Sequence, residues 1–221
     1  GIPAALCEDA FAASREFFGL SDDQKADVSV DHQQRGWMAQ GMATLEGAKT
    51  SDAKEVFFWG RDVAPDDPDV LQGRALVAPN QWPDRHAPRL KQQLLPYYDA
   101  VLDLSRLVLR ALARGLGKQP DFFAPAYVNP LGRGQLVYYP PQTDTDRDAE
   151  RFGAAAHSDF GVLTILMQDN AGGLQVLNKA GIWIEAPPLK DSFVCNIGDL
   201  LERRMNGQLV STKHRVVNRT R

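Results

Sequence analysis

The second half of the chain is built from short runs of β-forming residues separated by turn residues. After Gly132 these runs are Gln135 to Tyr139, Val162 to Gln168, Leu174 to Leu177, Ile182 to Glu185, Phe193 to Ile197, and Thr212 to Val217. Strands of this length, at a spacing of roughly 8–12 residues, predict an all-β sandwich or barrel instead of βαβ units. We expect a hairpin loop at Asn178-Lys179-Ala180-Gly181 and a turn at Asn206-Gly207.

The first half has helical patterns instead. The segment from Pro3 to Phe18, followed by Gly19, predicts one helix, and the capping box from Ser21 to Gln24 predicts a short second one. From Leu94 to Leu116 apolar residues recur at helical spacing. Because Pro96 would break this pattern, we expect the regular part of the helix to begin near it.

The segment from Val28 to Val77 shows no clear period. A long irregular stretch inside a compact domain is usually a binding or lid segment, or else disordered. Its aromatic residues Trp37, Phe57, Phe58 and Trp59 favour the ordered alternative. We therefore expect its aromatic-bearing part, Trp37 to Trp59, to be able to close over a pocket.

The composition fits a single globular domain. The chain has 221 residues, of which 43% are hydrophobic and 24% are charged. We expect an α+β fold with a mainly β core. A helical and loop-rich supporting region should cover residues 1–130, and the β core residues 131–221, within one integrated domain.

Several classes of partner are not expected. The net charge of −3 argues against nucleic acid, and no apolar run approaches the roughly 20 residues that span a bilayer. Cys7 and Cys195 are far apart and outside any C-x-x-C pair, which indicates reduced thiols and a cytoplasmic protein. The sequence does not indicate an oligomeric state.

One candidate metal site stands out. His157 and Asp159 are two positions apart, which on a strand places both side chains on the same face. His214 lies in another β-type run, so the three meet only if two strands of a closed sheet face each other, as in a jelly roll. Two imidazoles and one carboxylate match the ligands of non-haem Fe(II) oxygenases. A zinc hydrolase is less expected, because the helix-borne H-E-x-x-H pattern is absent.

By itself an H-x-D pattern is weak, since a lone His is more often a surface or core residue than a ligand. Longer motifs in the chain make the assignment of this pattern more specific. In the second half they are Gln135 to Pro141, Ala156 to Met167, Gly172 to Val176, Asn196 to Leu200 with Met205 to Gly207, and Ser211 to Val217. In the first half they are Phe17 to Leu20 with Asp23 to Lys25, Lys54 to Phe57, and Pro79 to Pro83. Together they resemble the isopenicillin N synthase-like family of 2-oxoglutarate/Fe(II)-dependent dioxygenases.

The resemblance implies a double-stranded β-helix, or jelly roll, with supporting N-terminal helices. It implies that His157, Asp159 and His214 bind Fe(II), with 2-oxoglutarate as cosubstrate and dioxygen as oxidant. Tyr139 corresponds to the tyrosine that hydrogen-bonds the distal carboxylate of 2-oxoglutarate, although it could simply pack beside Pro140. The implied substrate is a small organic molecule that is hydroxylated, or else desaturated or cyclised. Candidates to line its pocket, with the core as the alternative position, are Phe57, Phe58 and Phe160.

The sequence departs from the family pattern in two places. Val137 occupies a position where many members have Asn. The Arg-x-Ser pair that holds the cosubstrate carboxylate is expected beyond Arg221, and neither Arg219 nor Arg221 is assigned that role. Since Gly1-Ile2 resembles the end of a His-Gly-Ile motif, we expect both chain ends to be incomplete. An iron oxidase that does not use 2-oxoglutarate and a catalytically idle jelly-roll binding protein remain alternatives.

Overall fold

The computed structural model describes residues 1–42, 52–143 and 152–218. Arg219, Arg221 and part of the segment expected to form a lid lie outside these ranges. The chain divides into two compact units, one formed by Gly1–Met38 and Val56–Val137 and the other by Ala39–Glu55 and Tyr138–Arg221. The short segment before β2 (Glu55–Gly60) therefore groups with the C-terminal part of the chain.

The first unit contains four α-helices and one 3-10 turn within the described residues. They are α1 (Ala4–Phe18), α2 (Asp22–Ala26), α3 (Pro68–Leu71), α4 (Arg89–Gly115) and the 3-10 turn Ala124–Ala126. The predicted first helix and the capping box are confirmed: the Ser21 hydroxyl accepts from the Gln24 amide at 3.3 Å, and the Gln24 side chain accepts from the Ser21 amide at 3.1 Å.

Helix α4 begins earlier than expected. The prediction of a start near Pro96 is wrong, because the helix already begins at Arg89 and Pro96 lies inside it. A proline removes one helical hydrogen bond. Leu90 and Leu94 are 1% and 0% exposed, so their burial holds the turns that precede Pro96.

A three-stranded sheet replaces part of the expected irregular segment. Its order is β1-β2-β3, with β1 at Gly36–Met38, β2 at Glu55–Gly60 and β3 at Arg133–Tyr138. The prediction failed at β2 because Val56 to Trp59 are all buried. A strand that is buried on both faces lacks the alternation of apolar and polar residues by which strands are recognised.

The second unit is a double-stranded β-helix, as expected. One sheet has the order β4-β9-β6-β7, the other pairs β5 with β8, and all of these pairs are antiparallel. The elements are β4 (Ala154–His157), β5 (Leu163–Leu166), β6 (Leu174–Leu177), β7 (Trp183–Glu185), β8 (Val194–Ile197), α5 (Asp199–Arg204) and β9 (His214–Val216).

The loop between β6 and β7 forms the expected hairpin. The Asn178 side chain accepts from the amides of Ala180 and Ile182, each at 2.9 Å. Asn206 and Gly207 have φ values of 52° and 75°, in agreement with the predicted turn. Among the described helices, none has both the length and the apolar character needed to cross a membrane.

Candidate metal centre

Three side chains of the second unit converge on one point. One ligand atom each from His157, Asp159 and His214 lies within 4.8 Å of the other two. The Asp159 Oδ1 atom is 3.7 Å from His157 Nε2 and 3.6 Å from His214 Nε2. These separations are too long for hydrogen bonds, and they leave the three donor atoms facing a shared space.

A β-bulge aims His157 at this space. Ala154 pairs with Val216 and His157 pairs with His214, so three steps along β4 match two steps along β9. In a regular ladder Ala156 would lie opposite His214, and His157 would point to the other face of the sheet. The extra residue in β4 reverses that orientation, and the two imidazole ring centroids are 4.4 Å apart.

Backbone carbonyls fix both imidazole rings. His157 Nδ1 lies 2.7 Å from the carbonyl oxygen of Ala155, and His214 Nδ1 lies 3.1 Å from that of Thr212. A carbonyl oxygen only accepts, so each Nδ1 must carry the proton. In each neutral ring the Nε2 atom therefore carries the lone pair that a metal ion can bind, the arrangement usual for imidazole ligands.

Asp159 reaches the site differently from the expectation. Strand β4 ends at His157, so the prediction that His157 and Asp159 share a strand face is wrong. Asp159 lies in the following loop. Its Oδ2 atom accepts from the Thr164 hydroxyl at 2.6 Å and from the side-chain amide of Asn196 at 2.8 Å. These two bonds turn the Oδ1 atom towards the imidazoles.

Thr164 on β5 and Asn196 on β8 had not been identified from the sequence as site residues. They are Cα partners in the antiparallel pair of β5 and β8, so one rung of this sheet supports the carboxylate. A signal was available in the sequence, since each is a polar residue in an otherwise apolar strand, Leu163–Leu166 and Val194–Ile197.

The electrostatics favour the forms that bind a metal ion. Burial alone would raise the pKa of Asp159, but the hydrogen bonds from Asn196 and Thr164, together with the nearby imidazoles, lower it below its usual value. Burial lowers the pKa of His157, and the neighbouring His214 and Lys54 lower it further. An ionised carboxylate and a neutral imidazole result.

The other residues proposed from the sequence occupy varied positions. Phe57 is 0% exposed and packs on Phe17 with ring centroids 4.9 Å apart, and Phe58 is 6% exposed. The structure thus gives both rings a core position in the first unit instead of a pocket-lining one. Phe160, next to Asp159, is 88% exposed. Val137 is 38% exposed.

Tyr139 is packed within the second unit. Its ring covers Gly153 so closely that a Cβ atom there would be 2.8 Å from a ring carbon. Burial raises the pKa of the Tyr139 hydroxyl, and the negative charge of Asp52 raises it further. The hydroxyl therefore stays protonated and can act as a hydrogen-bond donor.

Two family models match the chain. Residues 134–221 match the 2OG-Fe(II) oxygenase superfamily, and residues 1–85 match the family described as non-haem dioxygenase in morphine synthesis N-terminal. A 2-oxoglutarate-dependent dioxygenase of Monascus ruber is 35% identical over 99% of this chain and 68% of its own length. The chain spans 64% to 68% of the length of such curated relatives.

Solved structures agree with these matches. A 2OG-Fe(II) oxygenase family protein of Caulobacter crescentus has a TM-score of 0.84 and 35% identity, over 98% of this chain and 68% of its own. A full-length Neurospora crassa protein, solved in complex with alpha-KG and thymine, has a TM-score of 0.83 and 29% identity, over 98% of this chain and 67% of its own.

Proposed function

Since the chain belongs to the 2OG-Fe(II) oxygenase superfamily, we propose that it is an Fe(II)- and 2-oxoglutarate-dependent oxygenase of a small organic metabolite. The iron ligands in this proposal are His157, Asp159 and His214. The observation that carries it is the convergence of their three donor atoms within 4.8 Å. A two-imidazole, one-carboxylate set leaves coordination positions open for cosubstrate and dioxygen.

The protein's own residues hold and orient the reacting groups. A bound Fe(II) ion, with 2-oxoglutarate and dioxygen, supplies the oxidising chemistry. The Ala155 and Thr212 carbonyls accept from the Nδ1 atoms of His157 and His214, so in each neutral ring the lone pair is on the Nε2 atom, where the metal would bind. Thr164 and Asn196 bind the Oδ2 atom of Asp159, which keeps the Oδ1 atom directed to the same point. The default outcome is hydroxylation, with desaturation or cyclisation as variants.

Tyr139 is proposed as a ligand of 2-oxoglutarate. Its buried, protonated hydroxyl is suited to donate a hydrogen bond to a carboxylate. The Tyr138-Tyr139-Pro140-Pro141 motif also supports placing the chain in the isopenicillin N synthase-like branch of the superfamily. The bond itself is part of the proposal.

The proposed substrate is a small organic molecule, in line with the thymine bound to the similar Neurospora crassa protein. We include Phe160 as a contact for it, because this ring follows Asp159 in the chain and is 88% exposed. The two buried rings, Phe57 and Phe58, are left out of the proposed contacts. A reducing, cytoplasmic location is proposed from the spacing of Cys7 and Cys195 alone.

Turnover of 2-oxoglutarate tests this function. The protein loaded with Fe(II) should consume oxygen and release succinate from 2-oxoglutarate, and Asp159→Ala and His214→Ala should do neither. Asp169→Asn is a matched control, because the Asp169 carboxylate accepts from the Ala171 amide away from the ligands. Oxygen consumption without succinate would point to an oxidase. If neither is detected with a panel of small metabolites, the proposal is contradicted.

A further inference from the structure

A buried carboxylate, that of Asp52, contacts the strand that carries the proposed ligand His157. The Asp52 side chain is 2% exposed, and its Oδ2 atom is 2.8 Å from the Lys54 ammonium nitrogen. A buried carboxylate is costly unless it is paired and hydrogen-bonded. The contacts of the Asp52 carboxylate must therefore compensate for its burial.

Asp52 holds the bulged part of β4. Its Oδ1 atom accepts from the Ala155 amide at 3.0 Å. Ala155 lies between the two ladder pairs, Ala154 with Val216 and His157 with His214, where β4 has its extra residue. A bulge leaves a backbone group without its ladder partner, and here a side chain takes the partner's place.

One backbone bond also joins the same segment to the chain just ahead of β4. The Ala53 amide donates to the Phe152 carbonyl at 3.1 Å, just before the strand begins. Strand β4 is at the edge of its four-stranded sheet, with β9 on its other side. The bonds made by Asp52 and Ala53 thus hold the chain on both sides of Ala154, where a change of register would reorient His157.

Ala155 connects this support to the metal ligand. Its amide is bound by Asp52, while its carbonyl accepts from Nδ1 of His157 at 2.7 Å. One residue therefore joins the buried carboxylate to the imidazole. A shift of Ala155 would move the ring and remove the acceptor that fixes its tautomer.

We propose that Asp52 and Lys54 are positioning residues that lock the β4 bulge and so aim His157 at the metal. Asp52 supplies the acceptor for the Ala155 amide, and Lys54 neutralises that carboxylate so that it can stay buried. This inference rests on the proposed function, because it assigns His157 to the metal. Neither residue is a ligand.

Cobalt(II) affinity and amide exchange test the role of Asp52. Cobalt(II) is a suitable probe because it accepts imidazole and carboxylate ligands. Asp52→Ala should weaken cobalt(II) binding by about 10–100-fold, the usual effect of losing a partner that orients a ligand. In the metal-free protein, exchange of the Ala155 amide should accelerate by on the order of tenfold or more.

The conservative variant separates positioning from general support. Asp52→Asn keeps an oxygen acceptor for Ala155 but removes the negative charge that pairs with the Lys54 ammonium, so its losses of cobalt(II) affinity and Ala155 protection should be clearly smaller than those of Asp52→Ala. Asp169→Asn, which alters an equivalent side-chain bond to the Ala171 amide, should change neither readout. Equal losses in Asp52→Asn and Asp52→Ala, or no loss in Asp52→Ala, would overturn the role of Asp52.

The role of Lys54 is tested by a double variant. Lys54→Met should weaken cobalt(II) binding, because the Asp52 carboxylate is left buried without its counter-charge. Adding Asp52→Asn should restore binding, because the bond to Ala155 remains and no buried charge is left. A double variant as weak as Lys54→Met alone would overturn the role of Lys54.

The Ala155 exchange rate is informative even if wild type binds no cobalt(II) or if Asp52→Ala does not fold. If wild type binds no cobalt(II), the proposed function fails, while Ala155 exchange still reports on the bulge. If Asp52→Ala does not fold, wild-type exchange decides. Slow Ala155 exchange supports the bond to Asp52, and exchange as fast as in an open loop contradicts it.

Discussion

His157 on β4 lies opposite His214 on β9 because β4 contains one residue more than its partner between the two ladder pairs. The ring centroids are 4.4 Å apart as a result. If the same sequence formed a regular ladder, the methyl group of Ala156 would take the place of the imidazole. The proposed metal site therefore depends on a local irregularity of the backbone as much as on the identity of its residues.

The double variant Ala156→His, His157→Ala should remove the site while leaving most of the sheet in place. With the bulge kept, position 157 lies opposite His214, so an imidazole moved to position 156 would not face it and cobalt(II) affinity should fall by at least about 100-fold. Calorimetric titration measures the loss, and circular dichroism checks the fold. The exchange Lys179→Ala, Ala180→Lys in the hairpin loop is the control for exchanging two neighbouring residues. Retained affinity in the first double variant would show that the ladder is regular there and that the bulge does not aim the ligand.

Removing the Thr164 hydroxyl should loosen the carboxylate ligand. Thr164→Val takes away a 2.6 Å bond to the Asp159 Oδ2 atom, so cobalt(II) affinity should drop by about 10–100-fold. Thr212→Val also replaces a hydroxyl by a methyl group, but it keeps the backbone carbonyl that accepts from His214. The cobalt(II) affinity of this control should therefore be unchanged. Equal affinities in the two variants would contradict the role of Thr164.

The three residues of the proposed metal site could be predicted from the sequence as a group, but the means of bringing them together could not. The motifs around His157 and His214 identified the family. Ala154 to Ala156 have no strand propensity, so neither β4 nor its bulge is visible in the sequence, and both follow from pairing with β9. The predicted same-strand placement of Asp159 was wrong for the same reason.

Buried segments were also misjudged in the first half. The strand at Val56 to Trp59 has no alternation because all four residues are buried, so its pattern does not resemble a strand. The Asn178 hairpin was predictable because its turn chemistry is local. Local sequence signals were therefore sufficient to predict turns, helix caps and motifs. They were insufficient where tertiary packing or strand pairing determines the backbone conformation.

His157 should titrate below its usual range in the metal-free protein. Burial lowers its pKa, so the midpoint of its ring protons in an NMR titration should lie below about 6.5. The unfolded chain then binds a proton at higher pH than the folded one does. The free energy of unfolding should therefore decrease as pH falls through the unfolded value towards the folded one. The pH dependence of the free energy of unfolding should be weaker in His157→Gln. A titration midpoint above about 6.5 would contradict the predicted direction of the pKa shift.

Tyr139→Phe should raise the KM for 2-oxoglutarate without changing metal binding. A lost hydrogen bond to a charged group is worth about 1.5–3 kcal/mol, which corresponds to roughly tenfold or more in KM. Steady-state succinate release at varied 2-oxoglutarate measures this effect, and Tyr138→Phe is the matched control. An unchanged KM would leave Tyr139 a packing residue only.

The Tyr139 ring also sets a limit on Gly153. Gly153→Ala would place a Cβ atom 2.8 Å from the ring, so the protein should lose about 1–3 kcal/mol of stability in urea unfolding. Gly161→Ala is the control, because a Cβ atom there meets nothing within 4 Å. Similar stabilities for the two variants would show that the ring does not pack on Gly153.

The proposed iron ligands are tested by anaerobic titration with Fe(II) in the presence of 2-oxoglutarate. A weak visible metal-to-ligand charge-transfer band should grow until one Fe(II) is bound per chain, and it should be absent from Asp159→Ala and His214→Ala. No band in the wild-type protein, or an undiminished band in either variant, would contradict the assignment of His157, Asp159 and His214 as the iron site.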